Sequence, residues 1–230
     1  MTETATFTAG GYRYVRGPFQ YSAGVAAEAG YRIERARFAK PLAIAAGFDA
    51  IQAYLSGLGR PLTAFCACEL RSPAPFTDQG FIDFNRVYVG TLEAWGIFSN
   101  DDNPVARSNV CPEQNKPAHP CFYAFSYTVP ASDRPASSSF VIAGSGEANE
   151  GSGSYASRII RLGDTSAQAM REKAVFVLGA MERRMSALGV GWNEVSASQV
   201  YTVHDLHPFL ADEIVRRGAA EGGLTWHYAR

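Results

Sequence analysis

Apolar positions recur along the chain in two rhythms. Phe48, Ile51, Leu55 and Leu58 are spaced 3, 4 and 3 apart, which places them on one face of a helix. Phe81, Phe84, Tyr88, Leu92 and Trp95 recur at 3, 4, 4 and 3 and predict a second helix over 78–95. Leu178, Met181, Met185 and Leu188 repeat the first spacing and predict a third, and 207–217 reads as a fourth. Shorter runs rich in small, β-branched and aromatic residues predict strands over 65–70, 108–111, 121–129, 140–143 and 195–200.

The first and third helices stop alike. Each ends at a Leu-Gly pair, Leu58-Gly59 and Leu188-Gly189, where glycine takes the left-handed conformation that closes a helix. The two stretches align without gaps at an offset of 130 positions, and the strand Phe65-Cys66-Ala67-Cys68 then lies opposite Val195-Ser196-Ala197-Ser198. Both copies go on through a second helix to an Ala-Arg pair, Ala106-Arg107 and Ala229-Arg230. A Pro- and Ser-rich stretch over 130–139 has linker composition. The expected organisation is α+β, in two tandem domains over 1–132 and 133–230. Copy two has no counterpart of the strands at 108–111 and 121–129. A sheet so shortened would leave an unpaired edge, so a natural chain continuing past Arg230 is expected.

Composition narrows the function classes. The chain is 47% apolar and 19% charged with a formal net charge of -1, which argues against a surface built to neutralise many phosphates. No apolar run reaches the ~20 residues of a membrane helix, and the N-terminus lacks a secretory pattern. A cytoplasmic protein is expected, with no nucleic-acid or membrane partner. The four cysteines, Cys66, Cys68, Cys111 and Cys121, do not form a zinc-type spacing. Cys66 and Cys68 are expected to line one face of a strand, as residues i and i+2 do, and all four to be free thiols. His204 and His207 lack clustered partners for a metal, so neither a metal nor a cofactor is expected.

The order of these elements resembles the YjgF/RidA family of enamine/imine deaminases. The residues carrying the resemblance are Gly17-Pro18 with Tyr21-Ser22, Phe84-Asn85-x-x-Tyr88, Pro104-Val105-Ala106-Arg107-Ser108, Ala143-Gly144-Ser145-Gly146-Glu147 and Ala229-Arg230. The resemblance implies domains shaped like the bacillary chorismate mutase, each a mixed sheet with two helices on one face. It also implies a homotrimer of six domains with sites in clefts between domains. Arg107 matches the arginine that grips the substrate carboxylate, and a guanidinium suits that task because its planar fork donates two parallel hydrogen bonds. Tyr21, Asn85, Ser108, Ser145, Gly146 and Arg230 match substrate-binding positions. The glutamate usual on the family's last strand is missing, since copy one reads Phe122-Tyr123-Ala124-Phe125 there. Glu147 or Glu150, on the glycine-rich turn, is the expected replacement in a composite cleft facing Arg107.

The tandem layout and the stretch from Gln199 to Arg230 resemble the deaminases of 2-aminomuconate and its chlorinated analogue in aromatic degradation. Such a substrate carries two carboxylates, and Arg32, Arg35, Arg37 or Arg230 is expected to meet the second. Two other functions fit the same fold: a non-catalytic module binding a carboxylate metabolite, and an endoribonuclease-type member of the family.

Overall fold

In the computed structural model the described residues are 3–131, 139–143, 146–149 and 154–230. Three short strands open the chain: β1 (Thr4–Phe7), β2 (Tyr12–Val15) and β3 (Gly24–Ala27). A long strand β4 (Tyr31–Ala43) runs into helix α1 (Ile44–Gly57), then β5 (Phe65–Arg71), α2 (Asp78–Ala94), β6 (Ala106–Val110) and β7 (Cys121–Pro130). The second half supplies β8 (Phe140–Ile142), a single helical turn α3 (Tyr155–Arg158), the long helix α4 (Ala167–Ala187), β9 (Ser198–Tyr201), the short helix α5 (His207–Phe209) and β10 (Leu224–His227). The helix expected over 207–217 is thus a short helix that widens into a π-type turn over Leu210–Val215.

The strands form an antiparallel sheet β1-β2-β3-β8, a mixed sheet β4-β7-β5-β6 and a parallel pair β9-β10. The two larger sheets meet at a parallel bridge between Ser22 and Ala106. The C-terminal segment joins the first half through a bridge between Pro112 and Ala229, with Arg230 N donating to Cys111 O at 2.9 Å. Both β5/β6 and β9/β10 are parallel pairs joined by a helical crossover.

Three cores hold these layers. The largest lies between the mixed sheet and helices α1 and α2, where Phe48 packs edge-on against Phe122 (4.9 Å) and Trp95 (5.2 Å). A second, with Tyr12, Tyr14, Val25, Cys66, Ala67 and Ala106, joins the first sheet to the mixed one. The third sets Val15, Ala23 and Ala26 against Met185, Leu188 and Val190 from α4 and its C-terminal turn. Alternation along β3 explains why one strand serves two cores, with Val25 turned one way and Ala26 the other.

The expectation for Cys66 and Cys68 is corrected. Register between β5 and β7 shifts between Phe65 and Ala67, the mark of a β-bulge, which breaks the period of two. Cys66 therefore packs with Tyr12 in the second core, while Cys68 lies in the first beside Tyr88. All four cysteines are free thiols.

Candidate functional site

Arg107 stands on β6 opposite Cys68 of β5 and points towards α2. The helix covers it because Phe81, Phe84, Asn85 and Tyr88 fall at i, i+3, i+4 and i+7, one face of a helix. Thr77 starts that helix, its hydroxyl accepting from Gly80 N at 3.0 Å. The guanidinium carbon lies 4.8 Å from the Tyr88 ring centre, 5.5 Å from Tyr21, 5.8 Å from Phe84 and 5.9 Å from Phe81. Arg107 is only 4% exposed, yet its Nη1 has no hydrogen-bond partner and no carboxylate pairs with it among the described residues.

That arrangement is costly for a resting protein. Burying a charge costs several kcal/mol, and cation–π contacts return only about 0.5–2 kcal/mol each. Two further polar atoms are buried without a partner, Asn85 Oδ1 on the covering face of α2 and Gln20 Oε1, next to Tyr21 in the chain. Asn85 instead donates from Nδ2 to Phe81 O at 2.5 Å. A planar anion supplies what the guanidinium lacks.

Tyr21 reaches Arg107 because its loop is tied to the start of β6. Ser22 N donates to Val105 O at 2.9 Å, and Asn103 acts as a bracket, accepting from Val105 N at 3.0 Å and donating to Phe19 O at 3.1 Å. Beneath the site, Cys68 Sγ is 3.3 Å from Tyr88 Oη. Burial pushes the Cys68 thiol up to about 12, outweighing the hydrogen bond from Tyr88 and the pull of nearby Arg107. Burial likewise raises the Tyr88 phenol well above its usual value. Both are protonated at neutral pH and serve as neutral walls.

The second half of the chain approaches the loop of Tyr21 where Ala143 N donates to Ala23 O at 3.1 Å, and residues 146–149 and 154–160 follow. Tyr155 opens α3 behind the capping hydroxyl of Ser154. A Cβ placed on Gly146 would sit 2.8 Å from Tyr155 Oη, so the backbone approaches that hydroxyl closely. Partial burial raises the Tyr155 phenol, with Glu147 and Tyr21 adding to the shift and Arg158 opposing it. Glu147 pairs with Lys173 Nζ at 3.7 Å, and Lys173 also donates to Ile160 O at 2.6 Å.

Arg107, Tyr21 and Asn85 are thus brought together, while Gly146 lies against Tyr155 and Glu147 is paired with Lys173. Ser145 and Glu150 lie outside the described residues. Ser108 is corrected: one step along β6 from Arg107 it faces the other side of the sheet, opposite Glu69. Arg230 is also elsewhere, its guanidinium on Glu113 beyond the end of β6. Tyr155, Arg158, Asn103 and Lys173 were not foreseen. No motif or spacing in the sequence singles them out.

A surface hollow lined by Val203, His204, Asp205, Trp226 and Tyr228 lies on the β9-β10 ribbon. It shares no residue with the surroundings of Arg107. Asp205 there is held by His207 at 2.6 Å. Among the described residues there is no group of three or more candidate metal ligands and no helix long and apolar enough to cross a membrane.

The family described as 2-aminomuconate deaminase CnbZ matches residues 4–230. The chain belongs to that family. The 2-amino-5-chloromuconate deaminase of Comamonas testosteroni is 51% identical over 230 residues, covering 100% of this chain and 92% of that relative. No solved structure is significantly similar to the chain.

Proposed function

We propose that the chain is a hydrolytic deaminase that releases ammonia from an enamine or imine carboxylate, with 2-aminomuconate or its chlorinated analogue as substrate. The observation that carries this reading is the buried, unpaired guanidinium of Arg107, in a chain that belongs to the 2-aminomuconate deaminase family. Arg107 grips the carboxylate next to the enamine carbon, and the rings of Tyr21, Phe84 and Tyr88 hold the unsaturated chain against it. Orientation of this kind supplies much of the rate in a reaction whose chemistry is a proton transfer and a water attack.

The sequence of steps follows from the chemistry. A proton added to the enamine carbon gives the imine, water adds to the imine carbon, and ammonia leaves as the 2-oxo acid forms. Each proton movement needs a group within hydrogen-bond reach. Glu147 is assigned that role, with Tyr155 between it and Tyr21. Tyr21 and Asn85 position the substrate, and Gly146 lets the backbone close on it. No step in this scheme calls on a cofactor. The tandem origin of the chain, as two RidA-like domains over 1–132 and 133–230, is proposed with it. The repeated strand–helix–strand crossovers support that origin.

Ammonia release from 2-aminomuconate tests the reading. Arg107→Ala is expected to lower kcat/KM by about 100-fold or more, the scale of losing a charge-assisted pair. Full activity in that variant would overturn it.

A further inference from the structure

A substrate with two carboxylates needs a second cation, and the arginines that the sequence offered for it are engaged. Arg32 pairs with Glu34, Arg35 with Glu69 at 2.6 Å and Arg230 with Glu113, while Arg37 donates to Tyr123 Oη at 3.3 Å. Arg158 differs. Its Nη1 donates to Asn149 O at 2.7 Å, but its Nε is buried without a partner, and its Nε–Nη2 edge meets no acceptor among the described residues. That edge is the fork whose two parallel N–H groups match a carboxylate.

We propose that Arg158 is a specificity-determining residue that takes the second carboxylate of a dicarboxylate substrate, at the opposite end of the cleft from Arg107. The inference rests on the reading of Arg107 given above. Its geometry is preorganised: Asn149 N donates to Arg158 O at 2.9 Å, Ala148 bridges Ile159, and Ile160 N donates to Glu147 O at 2.7 Å. Lys173 fastens the same ladder to α4. The Arg158 guanidinium lies 5.8 Å from the Tyr155 ring, and Gly146, whose backbone approaches Tyr155 Oη, comes three residues after Ala143, which donates from its N to Ala23 O at 3.1 Å beside the loop of Tyr21. Tyr21 in turn lies 5.5 Å from Arg107. In this proposal Arg107, Tyr21, Tyr155 and Arg158 make one wall, with a cation at each end and aromatic surface between. A six-carbon unsaturated diacid has the same layout, with an anion at each end of a planar apolar chain.

Two non-reacting acids separate the ends. Muconate carries both carboxylates, and hexa-2,4-dienoate has the same carbon chain with only one. Calorimetric titration of the intact chain is expected to show muconate binding tighter than hexadienoate. Arg158→Met should weaken muconate about 10-fold or more, as expected for one charge-assisted pair, and leave hexadienoate within about two-fold. Arg158→Lys, which keeps the charge without the fork, should fall between. Hexadienoate binding also reports that the variant has folded. If Arg158→Met weakens both acids alike, or neither, the proposal is overturned. Should it change neither while Arg107→Met weakens both, the cleft stands and only the role of Arg158 fails. If the unaltered chain binds neither acid, the cleft itself is overturned.

Discussion

Arg107 and Asn103 illustrate how two residues of one short motif divide labour. Arg107 presents a charge without a partner, and Asn103 holds the backbone that presents it, through Val105 N and Phe19 O. Asn103→Ala removes an acceptor from a buried N–H, a loss of about 1–3 kcal/mol, and frees the loop carrying Tyr21. Urea denaturation should register the stability loss, and KM should rise more than kcat falls. The cysteines offer a second check. Cys68, pushed up to about 12, and Cys66, raised further by burial, stay as thiols near pH 8. Iodoacetamide on the folded chain should modify the half-buried Cys111 first and spare those two, read by peptide mass spectrometry. The Arg107 position was legible from the sequence because its motif is local. Ser108 was misplaced for an equally local reason, since neighbouring strand residues face opposite ways.

Helices were the most legible elements. The 3, 4, 3 spacing of Phe48, Ile51, Leu55 and Leu58 marked α1, and three of those residues are buried against the sheet. Leu58, the fourth, closes the helix and is 49% exposed, so the spacing overran the packed face by one turn. The bulge at Cys66 was not legible, because it depends on the register with β7. At this scale α2 is the element to perturb, since it carries four of the residues above Arg107. Thr77→Ala should lower stability by about 1 kcal/mol through the lost cap, measurable by urea titration, and loosen the lid over the guanidinium. Gly47 marks where α1 approaches β7 most closely, as an added Cβ would meet Phe122 Cδ2 at 2.4 Å. Gly47→Ala should therefore destabilise by about 1–3 kcal/mol through overpacking, with a matching fall in Tm.

For the whole molecule, the decisive feature is how the second half docks on the first. Strand β8 completes the first sheet, α4 covers its far face, and Arg13 ties β2 to the end of α4 by donating to Leu188 O at 2.7 Å. On the other side, the β9-β10 ribbon brings Tyr201 and His227 against Arg71 and Tyr123. His227 is held below its ordinary 6.5, by burial first and then by Arg71. Its neutral form thus favours the folded state, a contribution complete above about pH 6.5 and lost as the pH falls through the lower folded value. His227→Gln should flatten that part of the acid-side loss of stability, seen by comparing thermal melts of both proteins near neutral pH and near pH 5.

The chain's own order of residues determined its helices, its small-residue strands, the Ala-Arg motif and the family resemblance, because each depends on neighbours within a few turns. Only the tertiary structure decided that β8 and α4 pack on the N-terminal sheet, that Cys66 and Cys68 part company, and that the Nε of Arg158 is buried without a partner. Those outcomes depend on register and on contacts between residues far apart in sequence, and no local period encodes them.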